Sequence, residues 1–179
     1  MADHSASSSE CYQISEVTKM TFFGILTNMK IIPLTKGKQV VVDDVDFETL
    51  NKYKWCFASG YAVRKVNNKR VFMHRFLMGV KDRKQFVDHK NCDPLDNRRE
   101  NLRLCTPAQN SMNRKKSKNN TSGYNGVVWY KQYNKWRVQL KYKRKQMAFG
   151  CYDDIKDAAK RYNEVAMKLF GEFAQLNLV

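Results

Sequence analysis

"VDHKNCDPLDNRRENLRLCTPAQN", residues Val87 to Asn110, carries an Asp-His pair, two aspartate-bearing turns and four asparagines in a stretch with little hydrophobic bulk. Phe86 to Lys90 reads as one strand and Asn101 to Cys105 as its antiparallel partner, with Asn, Asp and Pro punctuating the connection between them. Leu102 and Leu104 alternate with Asn101 and Arg103, so the two leucines are expected to face a core. Thr106, Pro107 and Gln109 then spell a helix start, with a capping Thr, Pro in the first turn and Gln closing a capping box. A hairpin followed by a helix gathers Asp88, His89, Asn101 and Asn110 over one small patch.

The donor types define a chemistry. A carboxylate oxygen from Asp88 and an amide oxygen from Asn110 suit one hard divalent cation, magnesium or else manganese, and suit zinc poorly. His89 beside that ion can take a proton from water near neutral pH, which makes phosphodiester hydrolysis the expected reaction. Neighbours on a regular strand point to opposite faces, so Asp88 and His89 converge only where the strand ends or bulges. Each of Asp88, Asn101 and Asn110, taken singly, is also explained as a turn or cap residue; their spacing around His89 favours the catalytic reading. His74 is read as a structural histidine, while Asn97, Arg98 and Arg99 fit turn formation and salt bridging as well as phosphate contact.

Composition supports a polyanionic partner. Lys and Arg number 33 against 17 Asp and Glu, a formal charge of +16, with pI near 9.7. Such a surface draws nucleic acid and releases counterions on binding it. No long apolar span or basic amphipathic helix points to a membrane. The five cysteines form no C-x-x-C pair, and the beginning "MADHSASSSE" lacks a secretion signal, so an intracellular protein of cytoplasm or nucleus is expected.

At 179 residues, the chain divides into short units. Residues 1–25 are Ser-rich at the start, show no period, and are expected to be mobile. Residues 26–115 begin with a small α+β lead-in: a strand at Lys38 to Val42, a helix over "FETLNKY", and strands Tyr61 to Val66 and Arg70 to Met73 around an Asn67-Asn68 turn. Residues 116–122 form a basic linker. In residues 123–179, "KWRVQLKY" alternates apolar with basic or polar side chains, and from Asp153 apolar residues recur at helical spacing until Gly171. Lys131 to Lys145 contains no acid, so its self-repulsion is unrelieved without a polyanion. The fold class is α+β.

The segment "VDHKNCDPLDNRRENLRLCTPAQNSMNR" resembles the ββα-metal centre of HNH nucleases, homing endonucleases of phage and viral mobile elements in particular. The resemblance implies that Asp88 and Asn110 hold one metal, His89 activates water and Asn101 orients it; Cys92 stands where Gly is expected. Residues Thr121 to Asn177 resemble an APETALA-type DNA-binding domain, a three-stranded antiparallel sheet packed on one helix. That likeness implies double-stranded DNA as the partner, read by Val128, Tyr130, Arg137, Gln139, Lys141 and Gln146, with Lys143 and Arg144 near phosphates; Val128 and Tyr130 replace the arginines the plant domains favour. No small-molecule cofactor is expected. A non-cutting DNA-binding regulator on the same scaffold is the alternative, with RNA binding a more distant one.

Overall fold

The structure is a computed structural model that describes residues 29–117 and 119–179. The expectation of a mobile segment at residues 1–25 lies outside the described residues. Strand β1 (Met29–Pro33) pairs antiparallel with β2 (Gln39–Asp43), and helix α1 (Asp44–Asn51) follows directly, with Asp44 and Asp46 in its positive first turn. Strands β3 (Cys56–Ala58), β4 (Tyr61–Val66) and β5 (Lys69–Phe72) form an antiparallel sheet in sequential order. The β4–β5 turn places Asn67 and Asn68 at φ 47° and 60°. Asparagine tolerates that left-handed region better than most residues, so it makes a tight hairpin here. The fifth strand stops one residue earlier than the sequence indicates, because Met73 opens helix α2 (Met73–Leu77). Strands β1 and β3, which the sequence reading leaves unassigned, are both short.

Ile32, Val40, Val42, Leu50, Trp55 and Met73 make the core of this first module. The Trp55 indole meets its polar requirement by donating to the Leu50 carbonyl at 2.9 Å. Leu95, from the loop quoted above, packs against the same core. Backbone bonds fix that loop further: Val41 N donates to Leu95 O and Asn97 N to Val41 O, both at 2.8 Å. The lead-in module is therefore the floor on which the loop is laid.

Strand β6 (Phe86–His89) pairs with β7 (Leu102–Cys105), and helix α3 (Pro107–Met112) follows. The capping box is present, with Gln109 N donating to Thr106 Oγ1 at 3.2 Å and Thr106 N to Gln109 Oε1 at 2.8 Å. Asn101 falls in a short 3-10 turn ahead of β7 rather than in the strand. Leu102 is buried, but Leu104 is 45% exposed, against expectation. A sheet of two strands is too narrow to cover all of a face, and here Arg103 takes an inward position because it meets Asp88.

In the C-terminal module β8 (Val127–Tyr130), β9 (Lys135–Tyr142) and β10 (Lys145–Tyr152) form one antiparallel sheet, with β9 central. Val138 and Leu140 from β9 pack on Ala158, Ala159, Tyr162 and Ala166 of helix α4 (Ile155–Phe170). Asp154 caps α4 by accepting from Lys156 N and Asp157 N at 2.7 and 3.1 Å. Gly171, at φ 55°, ends it. Gly126 has a close-approach role: a Cβ there would lie 2.2 Å from the Tyr162 ring and 2.7 Å from the Gln139 carbonyl.

Candidate active site

Asp88 and His89 are the last residues of β6 and, with Asn110 of α3, border one cavity of about 470 Å3. The strand ends at His89, which removes the conflict posed by alternating side chains. The sequence thus brings three of its four candidate residues to a common opening. Exposed Arg114 and Lys115 lie at its border and add positive charge.

Asp88 is 5% exposed and has two side-chain partners. Arg103, directly across the ladder, donates to Oδ2 from Nε at 2.9 Å and from Nη2 at 2.7 Å. Asn113 Nδ2 lies 3.0 Å from Oδ2, 3.1 Å from Oδ1 and 2.8 Å from the His89 carbonyl. The sequence reading missed both partners. Asn113 was detectable as a polar residue one turn beyond Asn110, but nothing local marks Arg103 as facing inward.

His89 is buried, and desolvation pushes its imidazole below the ordinary 6.5, opposed by the Asn97 hydrogen bond and by Asp88. A neutral ring near pH 7 is what a proton acceptor needs. Its direct partner is Asn97: Nε2 lies 3.2 Å from Asn97 Oδ1, while Asn97 Nδ2 reaches the Pro94 carbonyl at 3.5 Å. With the amide oxygen facing the ring, Nε2 carries the hydrogen and Nδ1 keeps its lone pair.

Asn101 serves a different part of the centre. Its Oδ1 accepts from Asn91 N at 3.0 Å, and its Nδ2 donates to the Asp96 carbonyl at 2.7 Å and Asn91 Oδ1 at 3.0 Å. Asn101 therefore locks the loop that carries Asn97, and the side chain bonded to the His89 ring is Asn97. Arg98 forks onto Asp96 at 2.8 and 2.7 Å, and Arg99 onto Asp46 at 2.7 Å through both Nε and Nη2, so both serve the turn and the lead-in module.

His74 lies against the site: its ring centroid is 5.1 Å from that of His89, edge to face, and it borders the same cavity. Burial, then His89 and Arg75, lower its pKa to about 3. Tyr61 packs on both imidazoles at 5.3 and 6.2 Å. Cys92 has φ 58°, the left-handed region where glycine is the unstrained choice, at the position where the resemblance anticipated Gly.

Arg103 occupies Oδ2 of Asp88, whereas Oδ1 has only the 3.1 Å approach of Asn113, so a lone pair remains free on it. That oxygen and the Asn110 amide oxygen fit a hard cation. Among the described residues no group of three or more His, Cys, Asp or Glu side chains is placed to hold a metal, and the donor set here contains a single carboxylate.

On the opposite face of the C-terminal sheet from α4, the register puts Val128 beside Arg137, Gln139 beside Ala148 and Lys141 beside Gln146. Tyr130 lies two residues beyond Val128, with the Arg137 guanidinium 5.0 Å from its ring. Lys143 and Arg144 form the exposed β9–β10 turn. Trp136 packs against the core, while Trp129 is 44% exposed. No helix among the described residues is long and apolar enough to cross a membrane.

Comparison with known proteins singles out the stretch that forms the hairpin and helix. Residues 80–112 match the family model described as HNH endonuclease. A viral protein named an uncharacterized HNH endonuclease, from Acanthamoeba polyphaga mimivirus, is 33% identical over 156 residues, spanning 80% of this chain and 77% of its own length. Protein 3.8 of Escherichia phage T7 is 37% identical over 90 residues, 50% of this chain and 74% of that protein. The chain belongs to the HNH endonuclease family. Membership points to a nuclease, for which DNA is the implied substrate; HNH nucleases generally use a divalent metal ion. No solved structure matches it.

Proposed function

We propose that this protein is a metal-dependent DNA endonuclease of the homing type, with its nuclease centre at Asp88, His89 and Asn110 and its DNA reader in the C-terminal sheet. The observation that carries the reading is the shared cavity of those three residues, with a free lone pair on Asp88 Oδ1 and a neutral, hydrogen-bonded His89.

Asp88 and Asn110 would hold one divalent cation, magnesium or manganese, which supplies Lewis-acid polarisation of the phosphodiester and charge stabilisation of the departing oxygen. His89 accepts a proton at Nδ1 from the attacking water as its oxygen bonds to phosphorus and the bond to the leaving oxygen breaks. Asn97 fixes the tautomer, and Asn101 fixes the loop that presents Asn97. His74 and Tyr61 pack the imidazole on its other sides and exclude water from it.

The C-terminal module would set Val128, Tyr130, Arg137, Gln139, Lys141 and Gln146 in a DNA groove and Lys143 and Arg144 on phosphates, as the resemblance of its sequence to APETALA-type domains implies. Its basic exposed positions and the acid-free run Lys131 to Lys145 support this role. A tether between reader and cutter raises the cutter's effective concentration at chosen sites on double-stranded DNA.

The test is supercoiled plasmid incubated with protein and magnesium, with EDTA added, and with His89→Ala protein. Nicked or linear product in the first reaction alone supports the reading. Salt-sensitive gel shifts with no cleavage under any metal would instead identify a non-cutting DNA-binding regulator.

A further inference from the structure

The segment that ends the C-terminal helix touches one partner of the Asp88 carboxylate, Arg103, directly and reaches the other, Asn113, through the Cys92 thiol. Arg103 presents Nε and Nη2 to Asp88 and turns Nη1 to the Glu172 carbonyl at 2.5 Å. Its guanidinium carbon lies 3.9 Å from the centre of the Phe173 ring, and Phe173 is buried. Asn113, the second partner, lies 3.1 Å through Oδ1 from the Cys92 thiol, which also lies 3.2 Å from Gln175 Oε1. The short turn Gly171–Phe173 and the residues after it thus reach Asp88 along two routes, through Arg103 and through Cys92 and Asn113, though they are more than eighty positions from it in sequence.

We propose that this segment positions Asp88, so that docking of the C-terminal module on the β6–β7 hairpin sets the affinity of the nuclease centre for its cation. Phe173 is the principal positioning residue. The guanidinium fork is planar and directional, so a fixed ring under it holds the carboxylate in one rotation, with Oδ2 engaged and Oδ1 turned free. Without the ring and the Glu172 carbonyl, Arg103 can swing, and the carboxylate loses the orientation that suits a ligand. The proposal rests on the reading of Asp88 as a metal ligand.

The experiment titrates full-chain protein with Mn2+, following free ion by electron paramagnetic resonance; the difference between wild type and Asp88→Ala isolates the Asp88 site. Phe173→Leu keeps the apolar bulk and removes the aromatic face. It is expected to weaken Mn2+ binding at that site about 10-fold, the lower end of what partners outside the ligand shell contribute. Phe173→Tyr restores binding, and DNA gel shifts of both variants match wild type. Gln175→Ala, which removes no buried ring, weakens binding in the same direction and serves if Phe173→Leu does not fold. Unchanged Mn2+ affinity in folded Phe173→Leu, or in folded Gln175→Ala where that variant stands in, overturns the coupling alone. Equal Mn2+ binding by wild type and Asp88→Ala overturns the metal reading, and the coupling with it.

Discussion

Arg103 and Asp88 stand opposite each other on the β6–β7 ladder, their side chains joined at 2.7 and 2.9 Å and only 10% and 6% exposed. Removing one member of such a pair leaves a buried charge with a single neutral partner, Asn113. Arg103→Met is therefore expected to lower stability by about 3 kcal/mol, read as a shift of the denaturant midpoint. Added Mg2+ is expected to enlarge that loss, because the cation stabilises the wild type, whose carboxylate Arg103 orients, more than the variant. A loss of the same size with and without Mg2+ would argue against a cation at Asp88.

Loss of the base and loss of its orienting partner are expected to differ in degree. His89→Ala lowers the cleavage rate roughly 100- to 10,000-fold, the usual worth of a general base, with gel shifts unchanged. Asn97→Leu keeps the imidazole but removes the acceptor that fixes its tautomer, so its rate falls less than that of His89→Ala. Single-turnover cleavage of one labelled duplex separates the two.

Acid acts on this centre twice. His89 must be neutral to accept a proton and its pKa lies below 6.5, so the cleavage rate should stay flat from neutral pH down and fall only below 6.5. For His74, the unfolded chain binds a proton below 6.5, while the folded chain resists it down to about 3. Between those values the unfolded state holds more protons, so stability falls as pH falls. His74→Phe is expected to flatten that dependence by up to about 1.4 kcal/mol per pH unit, measured by urea unfolding at several pH values.

On the C-terminal sheet, Arg137 and Lys141 lie on the face turned away from α4. Arg137→Ala and Lys141→Ala should each weaken DNA binding and reduce the slope of log affinity against log salt by about one if each neutralises a phosphate. Affinity measured across a series of NaCl concentrations gives both values. An unchanged slope in both variants would remove this face from the DNA interface.

Cys92, at φ 58°, carries a strain that only glycine avoids. Cys92→Gly and Cys92→Ala both lose the thiol contacts with Asn113 and Gln175, so their difference isolates the backbone. The Gly variant is expected to be more stable than the Ala variant by about 1 kcal/mol in thermal or denaturant unfolding.

Much of the local structure was legible because it is enforced by neighbours in sequence. The Thr106 and Gln109 bonds span three residues, the alternation of "KWRVQLKY" repeats every second residue, and the Asp154 cap lies one turn from its donors. Leu104 shows the limit of such reasoning. Its alternation with Arg103 is regular, yet burial depends on what covers the face, and a two-stranded sheet leaves Leu104 open.

The sequence by itself determined the hairpin, its capped helix and the set of donors offered at Asp88, His89 and Asn110, because short hydrogen bonds and side-chain period suffice for those. Tertiary structure alone decided which groups complete the centre. Asn97 reaches His89 because the loop is bonded to β2; His74 arrives from a helix laid under the hairpin; Arg103 is held by Phe173, seventy positions on. Such meetings depend on how separate modules pack, and packing is a property of surfaces distant in the chain that no local pattern encodes.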